Sequence, residues 1–365
     1  MKTILIAHNY TEDSFSLMSY HLAHYLADLG NRVVFISHNP YFKESKIINK
    51  DKGEIVICSW PTKKRPTLLK DVFFFFFIFF KYRPNVVIGH FVGANITIGI
   101  SKILSFGKTR TFAYYHTLSD QICKDRKPAI VKDKLFFLRK KMFYKLFCNV
   151  IVCPSNLAKL DLEKYYAVKK GIVVLNPMKD RLKDKINLKQ NIVISFLGRL
   201  DPSKGVIDLV IAFKSYCEKN KTSNIILNIA GTGIQENEIK QLIENESKIF
   251  YLGGLSYDKI DDYLGKSHFT VIPSKVDNLP TVGLESLMNQ TPLLVSNGVG
   301  LANYLEDGVD CFKFNSDVKS MISLFERVEN NFDMQIQMSF QARNTFLAKF
   351  TIENYCTTLS KQIAQ

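Results

Sequence analysis

No two of the seven cysteines form a CxxC pair, and Cys58, Cys148 and Cys153 lie inside apolar runs. That scatter argues against a zinc site or a disulfide framework and for reduced, buried thiols, as in a cytoplasmic protein. A bilayer-spanning segment is missing too: the most conspicuous apolar run, FFFFFIFF from Phe73 to Phe80, has eight residues, where a spanning helix needs about 20. Met1 to Ala7 lead into a strand pattern and not into a long apolar core, so no signal peptide is expected. The strand is followed by HNYTEDS and not by GxGxxG, which disfavours a nicotinamide-dependent enzyme.

What is present is an ordinary globular composition, 46% hydrophobic and 23% charged, which excludes disordered and fibrous classes. At 365 residues, two domains of roughly 150 residues each are expected. The net charge of +15 is unevenly placed: residues 1–180 carry 29 Lys and Arg against 13 Asp and Glu, net +16, and the remainder 20 against 21, net −1. The first half is therefore the one expected to meet something anionic, whether membrane surface, nucleic acid or phosphorylated substrate.

Short apolar strands, Thr3 to His8, Arg32 to Ser37, Glu54 to Cys58, Asn85 to Gly89, Thr109 to Tyr115, Val150 to Cys153 and Gly171 to Leu175, alternate with helical patterns. Such alternation predicts an α/β fold, a parallel sheet with helices on both faces. The rhythm breaks at Asn176-Pro177, before the polar run KDRLKDKINLKQN, and a second series begins at Ile192. The expected organisation is a domain over 1–177, a linker over 178–190 and a second domain over 191–350, with a ligand cleft between the two. Two stretches of the first half stand apart. The Phe-rich run reads as a buried helix or as a membrane-facing one, and KDKLFFLRKKMFYKLF, within 128–147, as a basic sheet-covering helix or one lying on an anionic membrane surface.

The chemistry concentrates in the second half. FLGRL ends a strand in Gly198, and Arg199 and Lys204 precede a helix from Val206. Backbone N–H groups and a helix's positive end favour phosphate there, with Arg199 as a fork and Lys204 as a point charge; the competing reading is a pair of solvated cations on a βα turn. Gly231 and Gly233 mark the turn after the next strand. The stretch from Val271 to Gly298 reads as strand, loop and helix, with Asp277 in the loop and Glu285 eight residues later, after Pro280 at the helix start. Carboxylates placed so at a strand end suit vicinal hydroxyls, unless Asp277 only caps the turn and Glu285 is a solvated helix residue.

GRLDPSKG at 198–205, IAGTG at 229–233 and PSKVDNLPTVGLESL at 273–287 resemble the retaining glycosyltransferases of family 4 (glycosyl transferases group 1). Their fold is GT-B, two Rossmann-like doubly wound domains facing a central cleft. The last segment matches the family's pair of acidic residues separated by seven, with Asp277 where Glu is usual. The resemblance covers the second half in motifs and the first in layout only. It implies that Arg199 and Lys204 bind the nucleotide diphosphate, that Glu285 holds the ribose hydroxyls and Asp277 the donor sugar, and that the turn from Asn278 through Leu279, Pro280, Thr281 and Val282 lies along sugar and phosphate. Gly198, Gly231 and Gly233 line the same site. His116, in FAYYHTLSD after a strand, corresponds to a histidine near the reacting sugar, and the glycine-rich turn after the first strand is replaced by His8-Asn9-Tyr10-Thr11. The terminal helix, about 351–365, resembles one that packs back on the first domain.

The activity so implied is retaining transfer of a hexose-type sugar from a nucleotide-diphosphate sugar to a glycan or lipid-linked acceptor, in bacterial surface polysaccharide synthesis. The nucleotide sugar is the donor substrate, no separate cofactor and no obligatory metal are expected, and an anionic membrane surface is a further candidate partner. The rivals are a GT-B-fold nucleotide-sugar epimerase, which would need no acceptor, and a basic nucleic-acid-binding module, which would leave Asp277 and Glu285 unexplained; no nucleic acid is expected as partner.

Overall fold

A computed structural model describes residues 1–9, 17–38, 45–63, 66–125, 130–182 and 191–365, with the side chains of 92–94 and 130–132 also outside the description. The first half runs β1 (Thr3–Ala7), α1 (Leu17–Asp28), β2 (Arg32–Ser37), β3 (Lys46–Asn49), β4 (Glu54–Ser59), α2 (Leu69–Tyr82), β5 (Val86–Gly89), α3 (Phe91–Leu104), β6 (Arg110–Tyr114), α4 (Ser119–Asp125), α5 (Ile130–Phe147), β7 (Val150–Cys153), α6 (Asn156–Tyr166) and β8 (Gly171–Val173). The second half runs β9 (Ile192–Leu197), α7 (Val206–Lys219), β10 (Ile225–Ala230), α8 (Glu236–Leu242), β11 (Ile249–Tyr251), α9 (Ile260–Gly265), β12 (Phe269–Ile272), α10 (Thr281–Met288), β13 (Leu293–Ser296), β14 (Cys311–Phe314), α11 (Val318–Asn330), α12 (Gln335–Lys349) and α13 (Ile352–Ala364).

These elements form two compact units, residues 1–117, 128–176 and 352–365 in one and 118–127 with 177–351 in the other. The segment 118–127, which chain order places in the first half, belongs with the second unit. Most of the polar run after Met178, residues 183–190, lies outside the described residues.

The first unit's sheet has the order β3-β4-β2-β1-β5-β6-β7-β8. All its pairs are parallel except β3 with β4. Edge strand β3 was not legible in the sequence: its side chains are mostly exposed, so no buried alternation marks it. Strand residues Ile4, Ile6, Val33, Phe35 and Ile88 pack with Leu22 and Leu26 of α1. α13 joins that core because Tyr355, Leu359 and Ile363 recur on one helical face. The Tyr355 hydroxyl lies 2.5 Å from that of Tyr114, and Arg110 donates to the Gln362 carbonyl at 2.8 Å.

The second unit's sheet is parallel throughout, in the order β11-β10-β9-β12-β13-β14. Its core joins Ile194, Phe196 and Leu227 to Leu209 and Phe213 of α7 and to Leu324 and Phe325 of α11. Growth of each sheet reverses once, between β1 and β5 in the first and between β9 and β12 in the second. Loops at the carboxyl ends of such strand pairs splay apart and leave a crevice for ligands.

Candidate functional site

In the second unit, the loops after β9 and β12 meet backbone to backbone. Lys275 N–H donates to the Ser203 carbonyl at 2.8 Å, and a Cβ added to Gly205, whose φ is +69°, would stand 2.4 Å from the Pro273 oxygen. Only glycine fits there. This closeness brings Lys204, at the end of the 3₁₀ turn Pro202–Lys204, within 2.5 Å of the Asp277 carboxylate.

Asp277 is fixed by its backbone, which donates to Gly298 O at 3.3 Å and accepts from Gly300 N–H at 3.0 Å. One carboxylate oxygen takes Lys204 and the other accepts from the Asn278 N–H at 2.9 Å. The residue thus caps its own turn and anchors a cation at once. Arg199 is exposed, paired with Asp201 and 3.7 Å from Asp125 of α4. Asp125 also accepts from the Ser203 N–H at 3.3 Å.

The N–H of Gly198 is committed to Ala230 O at 3.1 Å and that of Gly231 to Gly253 O at 2.8 Å. A Cβ on Gly231 would lie 1.8 Å from Gly198 O, and one on Gly233 2.5 Å from Leu200 O. These glycines therefore let two βα turns nest against each other.

α10 begins at Thr281 with Pro280 as its N-cap, one residue later than the sequence predicts. Asn278 and Leu279 bury their side chains, while Thr281 is exposed. The first-turn amides of Thr281 and Val282 have no acceptor within the helix, as at any helix start. Glu285 contradicts the solvated-helix reading, being only 4% exposed. Arg181 Nη2 lies 3.6 Å from it, and the same guanidinium grips Asp261 through Nε at 2.9 Å and Nη2 at 3.1 Å. Asn289, one helical turn after Glu285, donates to Asp261 Oδ1 at 2.9 Å. Burial pushes the Glu285 carboxyl up to about 7; Arg181 opposes that rise and Asp261 adds to it. The result is a buried acid that ionises near neutrality and can accept two hydroxyl hydrogen bonds when it does.

In the first unit, β1, β5 and β6 are neighbours, and a histidine follows each: His8, His90 and His116. His8 Nδ1 lies 2.7 Å from Ser19 Oγ, Ser19 Oγ 3.1 Å from His90 Nε2, and His90 Nδ1 3.2 Å from His116 Nε2. His8 and His90 stack at 4.0 Å, and Phe91, with φ +61°, stacks on His116 at 4.5 Å. Burial holds all three imidazoles neutral, His116 down to about 3. A neutral imidazole has one donor and one acceptor, so proton placement along this chain is correlated and ties the tautomer of His116 to that of His90. The replacement loop lies outside the described residues beyond Asn9.

Sequence reasoning missed Arg181, Asp261, Asn289, Asp125, Ser19 and His90. Asn289 had a signal, the i,i+4 spacing from Glu285, and His90 had one too, a histidine closing the strand VVIG. Arg181 sits in a polar run that reads as linker, and Asp261 and Asp125 are acids among other charged residues; no local pattern singles them out.

A family profile described as Glycosyl transferases group 1 matches residues 178–345, and one described as Glycosyltransferase Family 4 matches 17–179. The chain is 32% identical over 211 residues to the UDP-Gal:alpha-D-GlcNAc-diphosphoundecaprenol alpha-1,3-galactosyltransferase of Escherichia coli, over 56% of this chain and 51% of that protein. It is 23% identical to the lipopolysaccharide 1,2-N-acetylglucosaminetransferase of Salmonella typhimurium, over 58% of this chain and 61% of that one. The chain thus spans between half and two thirds of the length of these curated relatives. Among solved structures, sucrose-phosphate synthase of Thermosynechococcus elongatus superposes with a TM-score of 0.76 at 14% identity, covering 100% of this chain and 99% of that one. HepE of Anabaena, in complex with UDP, superposes at 0.73 and 11% identity, covering 100% of both. These likenesses show the fold, two Rossmann-like units of GT-B type.

Proposed function

This chain belongs to the group 1, family 4 type of glycosyltransferases, and from that premise we propose that it is a retaining hexosyltransferase. It moves a hexose-type sugar from a nucleotide-diphosphate sugar to a glycan or lipid-linked acceptor, in bacterial surface polysaccharide synthesis and from the cytoplasmic side. The observation that carries the reading is the placement of Lys204, Asp277 and buried Glu285 on the β9 and β12 loops and α10, at the second sheet's switch point. The names of the relatives support it, one printing UDP-Gal and a diphosphoundecaprenol-linked sugar and the other lipopolysaccharide.

In this reading Glu285, ionised, accepts from the ribose hydroxyls, and Arg181 and Asp261 hold it in place. Lys204 and Arg199 face the diphosphate, and Asp277 orients Lys204 while reaching the donor sugar. As the bond from the anomeric carbon to the diphosphate breaks, negative charge grows on the leaving oxygen, and fixed cations aimed at that charge lower the barrier. The acceptor hydroxyl attacks on the face the diphosphate leaves and gives its proton to the departing phosphate oxygen, so the configuration is retained. For His116, kept neutral by burial, the family resemblance implies a place near the reacting sugar. No protein nucleophile, separate cofactor or obligatory metal takes part.

A thermal-shift screen against a panel of nucleotide sugars identifies the donor; transfer to an acceptor is then followed by NMR of the anomeric proton, with and without EDTA. Retained configuration and undiminished turnover in EDTA are expected. An inverted product rejects the retaining route, loss of turnover in EDTA rejects the metal-free one, and conversion of the sugar nucleotide without acceptor points to an epimerase.

A further inference from the structure

One helical layer of the first unit carries an apolar surface that its core does not use. α3 packs against α2 on one side and α5 on the other. Within α2, Phe75, Ile78 and Phe79 turn inward, whereas Phe73, Phe77 and Phe80 are 71%, 64% and 56% exposed. The spacing of four and three residues puts these rings on one helical face. α5 repeats the arrangement: Tyr144 is buried, and Leu138, Met142 and Leu146 are each more than half exposed. Phe106, just past α3, is 94% exposed. Apolar side chains grouped in this way mark an interaction surface.

The charge beside the stripes selects the partner. Lys70, Lys81, Lys134, Arg139 and Lys145 are exposed along α2 and α5. The acids within α2, α3 and α5 are Asp71 and Asp133, and Asp71 is buried, accepting from the Leu68 N–H at 2.9 Å and the Thr62 hydroxyl at 2.9 Å. A second copy of this chain would set cations against cations, whereas an anionic lipid surface receives both the rings and the charges. Among the described residues no helix is long and apolar enough to cross a membrane.

We propose that the α2–α3–α5 face of the first unit docks on anionic phospholipid, Phe73, Phe77 and Phe80 entering the headgroup boundary and the Lys and Arg side chains lying against lipid phosphates. The geometry also selects the cations. Lys140, central in the basic run, turns inward, its ammonium 5.5 Å from the Tyr115 ring centroid and 5.6 Å from that of Tyr166, so it belongs to the fold and not to the docking surface. Each basic side chain held near such a surface raises partitioning roughly fivefold.

The proposal goes beyond the transferase reading and does not rest on it. The test is co-sedimentation of the full chain with phosphatidylcholine vesicles, with and without phosphatidylglycerol. Pelleting should require phosphatidylglycerol and fall with salt. The triple variant Lys134→Gln, Arg139→Gln, Lys145→Gln should weaken it on the order of 100-fold, Phe73→Ser with Phe77→Ser should weaken it at least tenfold, and Lys140→Gln should leave its salt dependence unchanged. Thermal melts confirm that each variant is folded, and nucleotide-sugar binding by the same variants, unchanged, keeps this result separate from the transferase assignment. The idea is overturned by equal pelleting on phosphatidylcholine alone, by no pelleting at low salt, or by Phe variants that still pellet. A dimer that Phe73→Ser dissolves in the ultracentrifuge, or RNA binding that survives the Phe substitutions without any lipid binding, overturns it as well.

Discussion

The first unit sets Lys70, Lys81, Lys134, Arg139 and Lys145 outside, on α2 and α5, whereas the second keeps a decisive charge cluster inside, where the side chains of Arg181, Asp261 and Glu285 are 19%, 7% and 5% exposed. The same residue types do different work in the two settings. Outside, each cation is weak alone, acts over a Debye length of about 8 Å and fades with salt. Inside, a charge acts on one neighbour, resists salt and is costly to leave unpaired. Net charge therefore describes the first unit well and says little about the second, whose balance of zero hides its most specific electrostatics.

The strongest way to break this contrast is Arg181→Ala. It strands Asp261 and Glu285 in a buried setting and should cost about 3–5 kcal/mol of stability, read as a drop in melting temperature that persists in about 0.5 M salt. A melt that matches the parent protein would place the cluster among ordinary surface pairs. Next come the cations at the start of α7. Arg199→Ala and Lys204→Gln should each lower turnover about 100- to 1,000-fold, and exposed Arg199 should do so with no change in melting. Turnover at the parent rate in both variants removes the diphosphate site.

The smallest effect sharpens the comparison through pH. Glu285→Gln should weaken donor binding about tenfold, the loss of an ionic hydrogen bond, while Asp277→Asn mainly lowers turnover. The Glu285 carboxyl is raised to about 7, so in the parent protein kcat/KM for donor should rise with pH through about 7, and the Gln variant should be flat there. The stability sign is opposite. An acid whose folded-state pKa is raised keeps full stability below its ordinary range and loses it as pH climbs towards 7, on the order of 3 kcal/mol in all. Glu285→Gln should therefore melt no lower than the parent at pH 8, and a marked loss there would contradict the assignment of the raised acid.

Much of the frame could be read from apolar periodicity, since strands buried on both faces, such as TILIA and RVVFIS, are short continuous apolar runs bounded by turns. β3 escaped because an exposed edge strand has no inward face to pattern, and β14 was not read at all. α9 starts at Ile260 behind a 3₁₀ turn, Tyr257–Lys259, a boundary that i,i+3 spacing blurs. The Phe-rich run, read as either buried or membrane-facing, turns Phe75 and Phe79 inward and leaves Phe73, Phe77 and Phe80 exposed. A run of one residue type has no periodicity to reveal which rings turn in.

By itself the sequence determined the α/β alternation, the family motifs and the uneven charge, because each is written in neighbouring residues. It also named Arg199, Lys204, Asp277 and Glu285. Tertiary structure alone decided that Glu285 is buried beside Arg181 and Asp261, that Lys204 is tied to Asp277, and that His8, Ser19, His90 and His116 form one chain of contacts. Those partners lie 104, 24, 73, 11, 71 and 26 residues apart. Contacts at such separations are set by which strands become neighbours where a sheet reverses its order, a property of the whole sheet that no local spacing records.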